Sequence, residues 1–260
     1  MKKTLLTETP HLYPSDIQCL FEGAKIYDSS CSSEAKVLFI DKDCGYYLKH
    51  AKKGTLKREA VMTQYFNKKG LAPKVLGYFS LSDDFLITER AQGEDCTHAE
   101  YTADPKRLCD ITAERLRALH ELDFLDCPIE HTSNYIETAK KNYKLGLYDT
   151  SLFPNNWGYA SADEAWHIVQ NGKKHLKNEV LLHGDYCLPN IVLDSWKFSA
   201  FIDVDHAGVG DRHVDLFWGA WSLFFNLKTD AYRERFFDAY GRDLVDEDKL
   251  RIVAAFEVFG

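Results

Sequence analysis

Apolar residues alternate in short runs through the first ninety positions and then recur at helical spacing, so the chain reads as a β-rich part followed by a mainly helical one. Lys36–Asp41 (KVLFID) and Gly45–His50 (GYYLKH) are β-rich runs separated by turn-forming residues, the pattern of an antiparallel hairpin. Thr55–Lys69 has helical composition, with Gly70 and Pro73 as its stop, and the runs KVLGYFS and FLITER follow. The expected order is strand, strand, helix, strand, strand. After Gln92-Gly93, Leu108, Ile111, Leu116, Leu119 and Leu122 mark a helix over Pro105–Leu122, beginning after a Thr-x-Asp-Pro start. Helices are expected over 134–145 and 162–177, then short β runs at Val180–Leu182, Ile191–Leu193 and Phe198–Val204, then helices over 213–227, 230–240 and 247–258. The class is α+β: a small N-terminal lobe with an antiparallel sheet plus a helix (1–91) and a larger, mainly helical C-terminal lobe (92–260), hinged near 89–93.

Composition narrows the partners. Forty acidic against 32 basic residues give a formal charge of -8, which repels phosphate backbones and would attract cationic small molecules if concentrated in a cleft. A generic acidic surface accounts for the same charge. Nucleic acid is not an expected partner. The seven cysteines are odd in number and form no C-x-x-C pair, the usage of buried thiols in a reducing cytosol. No run approaches the roughly 18 apolar residues of a membrane span. The expectation is a cytoplasmic chain with no membrane partner and no obligate protein partner.

The most informative stretch runs from Leu181 to Asn190 (LLHGDYCLPN), with Asp203 thirteen residues beyond Asn190. An Asp, an Asn five residues on and a second Asp across a β-turn-β element can converge on one point. Phosphoryl transfer needs such a set: a carboxylate to orient an attacking hydroxyl and accept its proton, and oxygen ligands for magnesium. Asn190 and Asp203 suit the metal, which leaves Asp185 to face the substrate. Taken singly, His183 reads equally as a core histidine, Asp185 as a turn residue and Asn190 as an Asx-turn residue.

A phosphotransferase also needs a cation for the nucleotide phosphates, held by a carboxylate. Period-two alternation puts Tyr47 and Lys49 on one face of their strand, an aromatic ring beside an ammonium. Glu59 shares a helical stripe with Met62, Thr63 and Phe66, a largely inward-facing stripe on which a carboxylate needs a partner; Lys49 is the nearest candidate. The alternative is a solvated strand-end lysine and a surface glutamate.

HGDxxxxN followed by FIDxxxxGxGDxxxDL, together with LRALHEL at 116–122 and KVLGYF after LAP, resembles the aminoglycoside phosphotransferases, and within them the aminoglycoside 3′-phosphotransferases (kanamycin kinases), from about residue 20 to the C-terminus. The resemblance implies a bilobal protein-kinase-like fold, ATP as donor with GTP as the alternative, Mg2+, and a small, cationic aminosugar as acceptor. It implies Asp185 as catalytic base, Asn190 and Asp203 as metal ligands, Lys49 as the phosphate lysine and Glu59 as its ion-pair partner. Ser33, in Ser-Glu-Ala-Lys-Val, corresponds to the loop over the phosphates, although a polar hairpin turn explains that run as well. Tyr47 corresponds to the residue stacked on the base, Glu89 and Ala91 to hinge positions acting through main chain, and Ile202 to the residue packed under the base. Asp211 and Asp215 match structural positions.

The resemblance departs from the family pattern around the acceptor. Trp221, Phe224, Phe225 and Asn226 stand where relatives carry arginine and acidic residues, and these aromatics read most simply as core residues of an amphipathic helix. Asn156, Glu257 and Phe259 are the matching substrate positions, of which Glu257 matches cleanly; Gly260 extends one residue past the usual terminal phenylalanine. Two alternatives stay open: a kinase of the same fold for a metabolite such as choline, homoserine or a ketoamine, and a nucleotide-binding module without catalysis. Gly208-Val-Gly210 lacks the third glycine of a dinucleotide fingerprint and is set aside.

Overall fold

The computed structural model describes residues 3–7, 13–31, 34–150, 159 and 161–260. In chain order it begins with β1 (Thr4–Leu5), α1 (Ser15–Gln18), β2 (Lys25–Asp28), β3 (Ala35–Asp41), β4 (Tyr46–Lys52), α2 (Lys57–Lys68), β5 (Val75–Ser80), β6 (Asp83–Glu89) and β7 (Glu94–Asp95). It continues through α3 (Ala99–Thr102), α4 (Pro105–His120), α5 (His131–Leu145), α6 (Ala162–Gly172), β8 (Val180–Leu182), β9 (Ile191–Asp194), β10 (Lys197–Phe201) and β11 (Gly208–Gly210). It closes with α7 (His213–Leu227), α8 (Arg233–Tyr240) and α9 (Glu247–Glu257).

Two compact units emerge, Met1–His98 with Ile191–Asp205, and Ala99–Asn190 with His206–Gly260. The first unit takes in 92–98 and the later segment 191–205, and one pairing brings them there. Strand β9 pairs with β7 on one edge and β10 on the other, which draws 94–95 and 191–201 together in the first unit. Gly93 permits the approach: its φ is +96°, and an added Cβ would lie 2.0 Å from the Leu193 carbonyl oxygen.

The first unit is built on a six-stranded antiparallel sheet in the order β1-β2-β3-β4-β6-β5. Alternation sorts its side chains. Leu38, Ile40, Leu48, Phe85 and Ile87 face one core with Tyr13, Ile17 and Phe21 from the N-terminal segment, while Ala51 and Leu86 meet Leu56 and Ala60 at the start of α2. Tyr47 and Lys49 therefore belong to the α2 side. Lys197–Phe201 is shorter than the expected strand to Val204, because Asp203 takes a left-handed φ of 58° that ends the extended run. Strands β1, β2 and β7 were not expected.

In the second unit α4 begins as its sequence indicates, with Pro105 in the first turn and Asp104 accepting a hydrogen bond from the Arg107 N–H at 3.2 Å. Leu108, Cys109, Thr112, Ala113, Leu116 and Leu119 form its buried stripe. It packs against α7 and α8; α9 packs against α5, α6 and α7. The Gly208-Val-Gly210 segment is β11, paired antiparallel with β8. No described helix is long and apolar enough to cross a membrane.

Candidate active site

In the first unit Lys49 lies opposite Leu86 on β6, half-buried, and its Nζ meets two carboxylates: Glu59 Oε2 at 2.8 Å and Asp203 Oδ1 at 2.9 Å. Glu59 is buried on the first turn of α2; Asp203 is half exposed. Two negative charges thus share one positive charge. Burial alone disfavours the Lys49 ammonium, but the carboxylates of Glu59 and Asp203 outweigh it and hold its pKa above the usual lysine value. The excess negative charge falls on the more buried acid: burial, opposed by Lys49 and assisted by Asp203, pushes Glu59 up to about 7.

Tyr47 sits two residues before Lys49, its ring 5.1 Å from Phe39 on the neighbouring strand. Glu89 closes β6 with its N–H donated to the Lys74 carbonyl at 2.9 Å, and Ala91 follows in irregular backbone, half-buried. Ile202 is half-buried immediately before Asp203. Ser33 and Asn156 lie outside the described residues.

In the second unit the segment from His183 to Asn190 is fixed at many points. Asp215, wholly buried on α7, accepts from the N–H groups of His183 and Gly184, each at 2.8 Å, and also contacts His120 Nε2 at 3.1 Å. Tyr186 donates its hydroxyl to the Thr112 carbonyl at 2.7 Å, and the Leu188 N–H donates to Ser222 Oγ at 2.8 Å. Gly184, at φ +85°, passes so near His206 that a Cβ would lie 2.2 Å from its carbonyl oxygen. Within this frame the Asn190 amide nitrogen donates to Asp185 Oδ2 at 2.8 Å and to the Asp185 carbonyl at 3.0 Å. One carboxylate oxygen of Asp185 is thereby oriented, and the Asn190 amide presents its oxygen on the other side.

Glu257 is buried, and the Tyr135 hydroxyl donates to its Oε1. Burial is the main reason its pKa rises to about 7; the negative charge of Asp185 adds to this, while Tyr135 and Trp218 oppose it. Phe259 is wholly buried against Tyr143, Tyr148 and Trp166, and its carbonyl accepts from Asn142 Nδ2 at 2.8 Å. On α7, Phe225 is half exposed and stacks on Trp221 at 5.0 Å, so it is not the plain core residue its spacing indicates. Tyr135 and Ser222 carried no motif, and only the folded contacts bring them into view.

A second acidic cluster, Glu179, Asp211 and His213, has side chains near enough to hold a metal. Its charge is already matched. Arg212 Nε donates to Glu179 and Lys249 Nζ to Asp211, each at 2.8 Å, while His213 Nε2 accepts from the Asp246 N–H at 2.9 Å. It ties the start of α7 to α9, the structural part expected of Asp211.

Residues 28–253 match a family described as the phosphotransferase enzyme family. This chain belongs to that family. A probable aminoglycoside 3′-phosphotransferase of Lactococcus lactis subsp. lactis (strain IL1403) is 54% identical to this phosphotransferase over 250 residues, 95% of each chain. An aminoglycoside 3′-phosphotransferase of Niallia circulans is 31% identical over 207 residues, 79% of each. The resemblance read from the motifs is borne out. Among solved structures, the type VIII aminoglycoside-3′-phosphotransferase matches 90% of the chain and 91% of its own at a TM-score of 0.70 and 22% identity. An aminoglycoside phosphotransferase from Streptomyces rimosus ATCC10970, in complex with ADP and streptomycin, matches 86% of the chain and 90% of its own at 0.73 and 20%. The fold of this phosphotransferase is accordingly the bilobal, kinase-like α+β fold.

Proposed function

We propose that this phosphotransferase moves the γ-phosphoryl group of ATP, with GTP as the alternative donor, to the 3′-hydroxyl of an aminoglycoside in the cytoplasm. The observation that carries the reaction type is the hydrogen bond from Asn190 to Asp185 Oδ2, which orients the carboxylate of the HGDxxxxN motif in a rigid segment. The acceptor class rests on the likeness to the Lactococcus relative. Asp185 takes the proton of the attacking hydroxyl as that oxygen bonds to the γ-phosphorus and the bond from the γ-phosphorus to the β,γ-bridging oxygen breaks, with ADP as the leaving group. Lys49, oriented by Glu59, neutralises charge on the nucleotide phosphates. Tyr47 stacks on the base, Ile202 packs beneath it, and Glu89 and Ala91 meet its edge through main chain. Ser33 belongs to the phosphate loop; Asn156, Glu257 and Phe259 belong to the acceptor side. Residues 1–91 form the nucleotide-binding lobe and 92–260 the catalytic and acceptor-binding lobe.

Asn190 and Asp203 fit a magnesium ion chemically. The Asn190 amide nitrogen is spent on Asp185, so its oxygen is the free donor, and Asp203 is a half-exposed carboxylate; hard oxygen ligands are what Mg2+ takes. When bound, the ion supplies charge neutralisation at the phosphate oxygens.

One feature favours a less cationic acceptor: Phe225, stacked on Trp221, offers an aromatic surface where relatives carry charge. The test is ADP release by the purified protein with magnesium-ATP, across aminoglycosides with and without a 3′-hydroxyl plus choline and homoserine. Turnover confined to 3′-hydroxyl compounds is expected, with Asp185→Asn slower by about 10²–10⁴-fold and nucleotide binding intact. Turnover with choline or homoserine alone would replace the aminoglycoside reading, and an unimpaired Asp185→Asn would remove Asp185 from its role.

A further inference from the structure

Glu59 occupies the third helical position of α2, whose N-cap is Leu56. From that position a glutamate commonly turns back to accept the N-cap N–H, the reciprocal half of a capping box. Here it does not. The Leu56 N–H donates instead to Asp84 Oδ2 at 3.0 Å, and Glu59 reaches Lys49 at 2.8 Å. Leu56 itself has no capping side chain.

Asp84 is wholly buried on β6, opposite Ala51 of β4 and Ser80 of β5. Its Oδ2 also accepts from the Tyr78 hydroxyl at 3.0 Å, and its Oδ1 from Ser80 Oγ at 2.7 Å. Two β5 side chains thus aim the carboxylate at the turn between β4 and α2, the short piece of chain that joins Lys49 to Glu59.

We infer that Asp84 is a positioning residue that takes over the N-cap N–H of α2 and so releases Glu59 to hold Lys49. Without Asp84 the Leu56 N–H is a buried donor in need of an acceptor, and Glu59 is the carboxylate nearest in sequence that can supply one. Each carboxylate oxygen turned toward Leu56 is lost to Lys49. The consequence for nucleotide binding rests on the phosphotransfer reading above; the consequence for Lys49 does not.

Lys49 reports on this directly, because a small amine reagent reaches its amine more readily once Glu59 no longer holds it. The rate of trinitrobenzenesulfonate labelling at Lys49, followed by peptide mass, is compared among wild type, Asp84→Ala, Glu59→Gln and the double variant. Release from one of its two carboxylates is expected to raise the rate about fivefold. Asp84→Ala is expected to give a rise of that order in the wild-type background and no further rise in the Glu59→Gln background. Tyr78→Phe, which leaves the Leu56 bond in place, is expected to lower the melting temperature without changing Lys49 labelling. Unchanged labelling in Asp84→Ala, or an equal rise with and without Glu59, overturns the inference. Should Asp84→Ala not fold, Asp84→Asn, which retains one carbonyl acceptor, is expected to give a smaller rise in the same direction, and no rise overturns it. In the same four proteins KM for ATP is expected to follow the labelling; wild-type protein without any ATP-dependent turnover would defeat the functional reading while the labelling still decides the role of Asp84.

Discussion

At the scale of single residues, the buried acids Asp215 and Glu257 have different partners. Asp215 is surrounded by donors. Glu257 has a tyrosine hydroxyl and the indole of Trp218, but it also feels the Asp185 carboxylate, and burial raises it to about 7 from an ordinary 4.5. Between about pH 4.5 and 7 the folded chain therefore holds the Glu257 proton more tightly than the unfolded chain does. The associated stability is present below about pH 4.5 and is lost as pH rises through about 7. Glu257→Gln, which cannot ionise and still accepts from Tyr135, is expected to gain on the wild type as pH rises from 5 to 8. Its melting temperature, relative to the wild type, should rise by about 5 °C in scanning calorimetry. A difference independent of pH would mean that Glu257 is ionised in both states throughout. Glu257 was legible in the sequence as a motif match, but its enclosure by Tyr135 was not, since the two are brought together only by α5 and α9 packing.

At the scale of elements, the segment from His183 to Asn190 has no regular structure before its final turn and owes its shape to helices α4 and α7. Asp215 holds its first two N–H groups, Thr112 its tyrosine and Ser222 its leucine N–H. Burial pushes His120 below the usual histidine value, so its ring bridges Asp215 and the Tyr240 hydroxyl largely as a neutral group. Asp215→Ala strips acceptors from two buried backbone donors and one imidazole, and is expected to cost about 3 kcal/mol in urea unfolding. A loss under about 0.5 kcal/mol, the range of ordinary surface substitutions, would contradict the anchoring. Long periodic elements were legible: α4, α7 and α9 fall within a residue or two of their expected bounds because one apolar face each meets a single core. Strands β1, β7 and β11 were not, because two or three residues carry no period and become strands only through a partner.

At the scale of the whole molecule, the motif order was readable but the grouping was not. The sequence separates Lys49 from Asp203 by most of the chain, and the β9–β10 hairpin returns Asp203 to the unit that holds Lys49. That return depends on β7 pairing with β9, a two-residue ladder at Glu94 and Asp95 that composition does not announce. Asp185 and Asn190 were close in sequence and meet as their spacing indicates. On the proposed reading the enzyme transfers a phosphoryl group to one hydroxyl of an aminosugar, with Asp185 as base. The most direct measurement is the position of the phosphate in the product, by phosphorus and carbon NMR, after reaction of magnesium-ATP with an aminoglycoside bearing several free hydroxyls. A single monophosphate on the 3′ oxygen is expected, formed about 10²–10⁴-fold more slowly in the same incubation with Asp185→Asn. Phosphate on another hydroxyl would contradict the regiochemistry, and the same product from Asp185→Asn at an undiminished rate would contradict the mechanism.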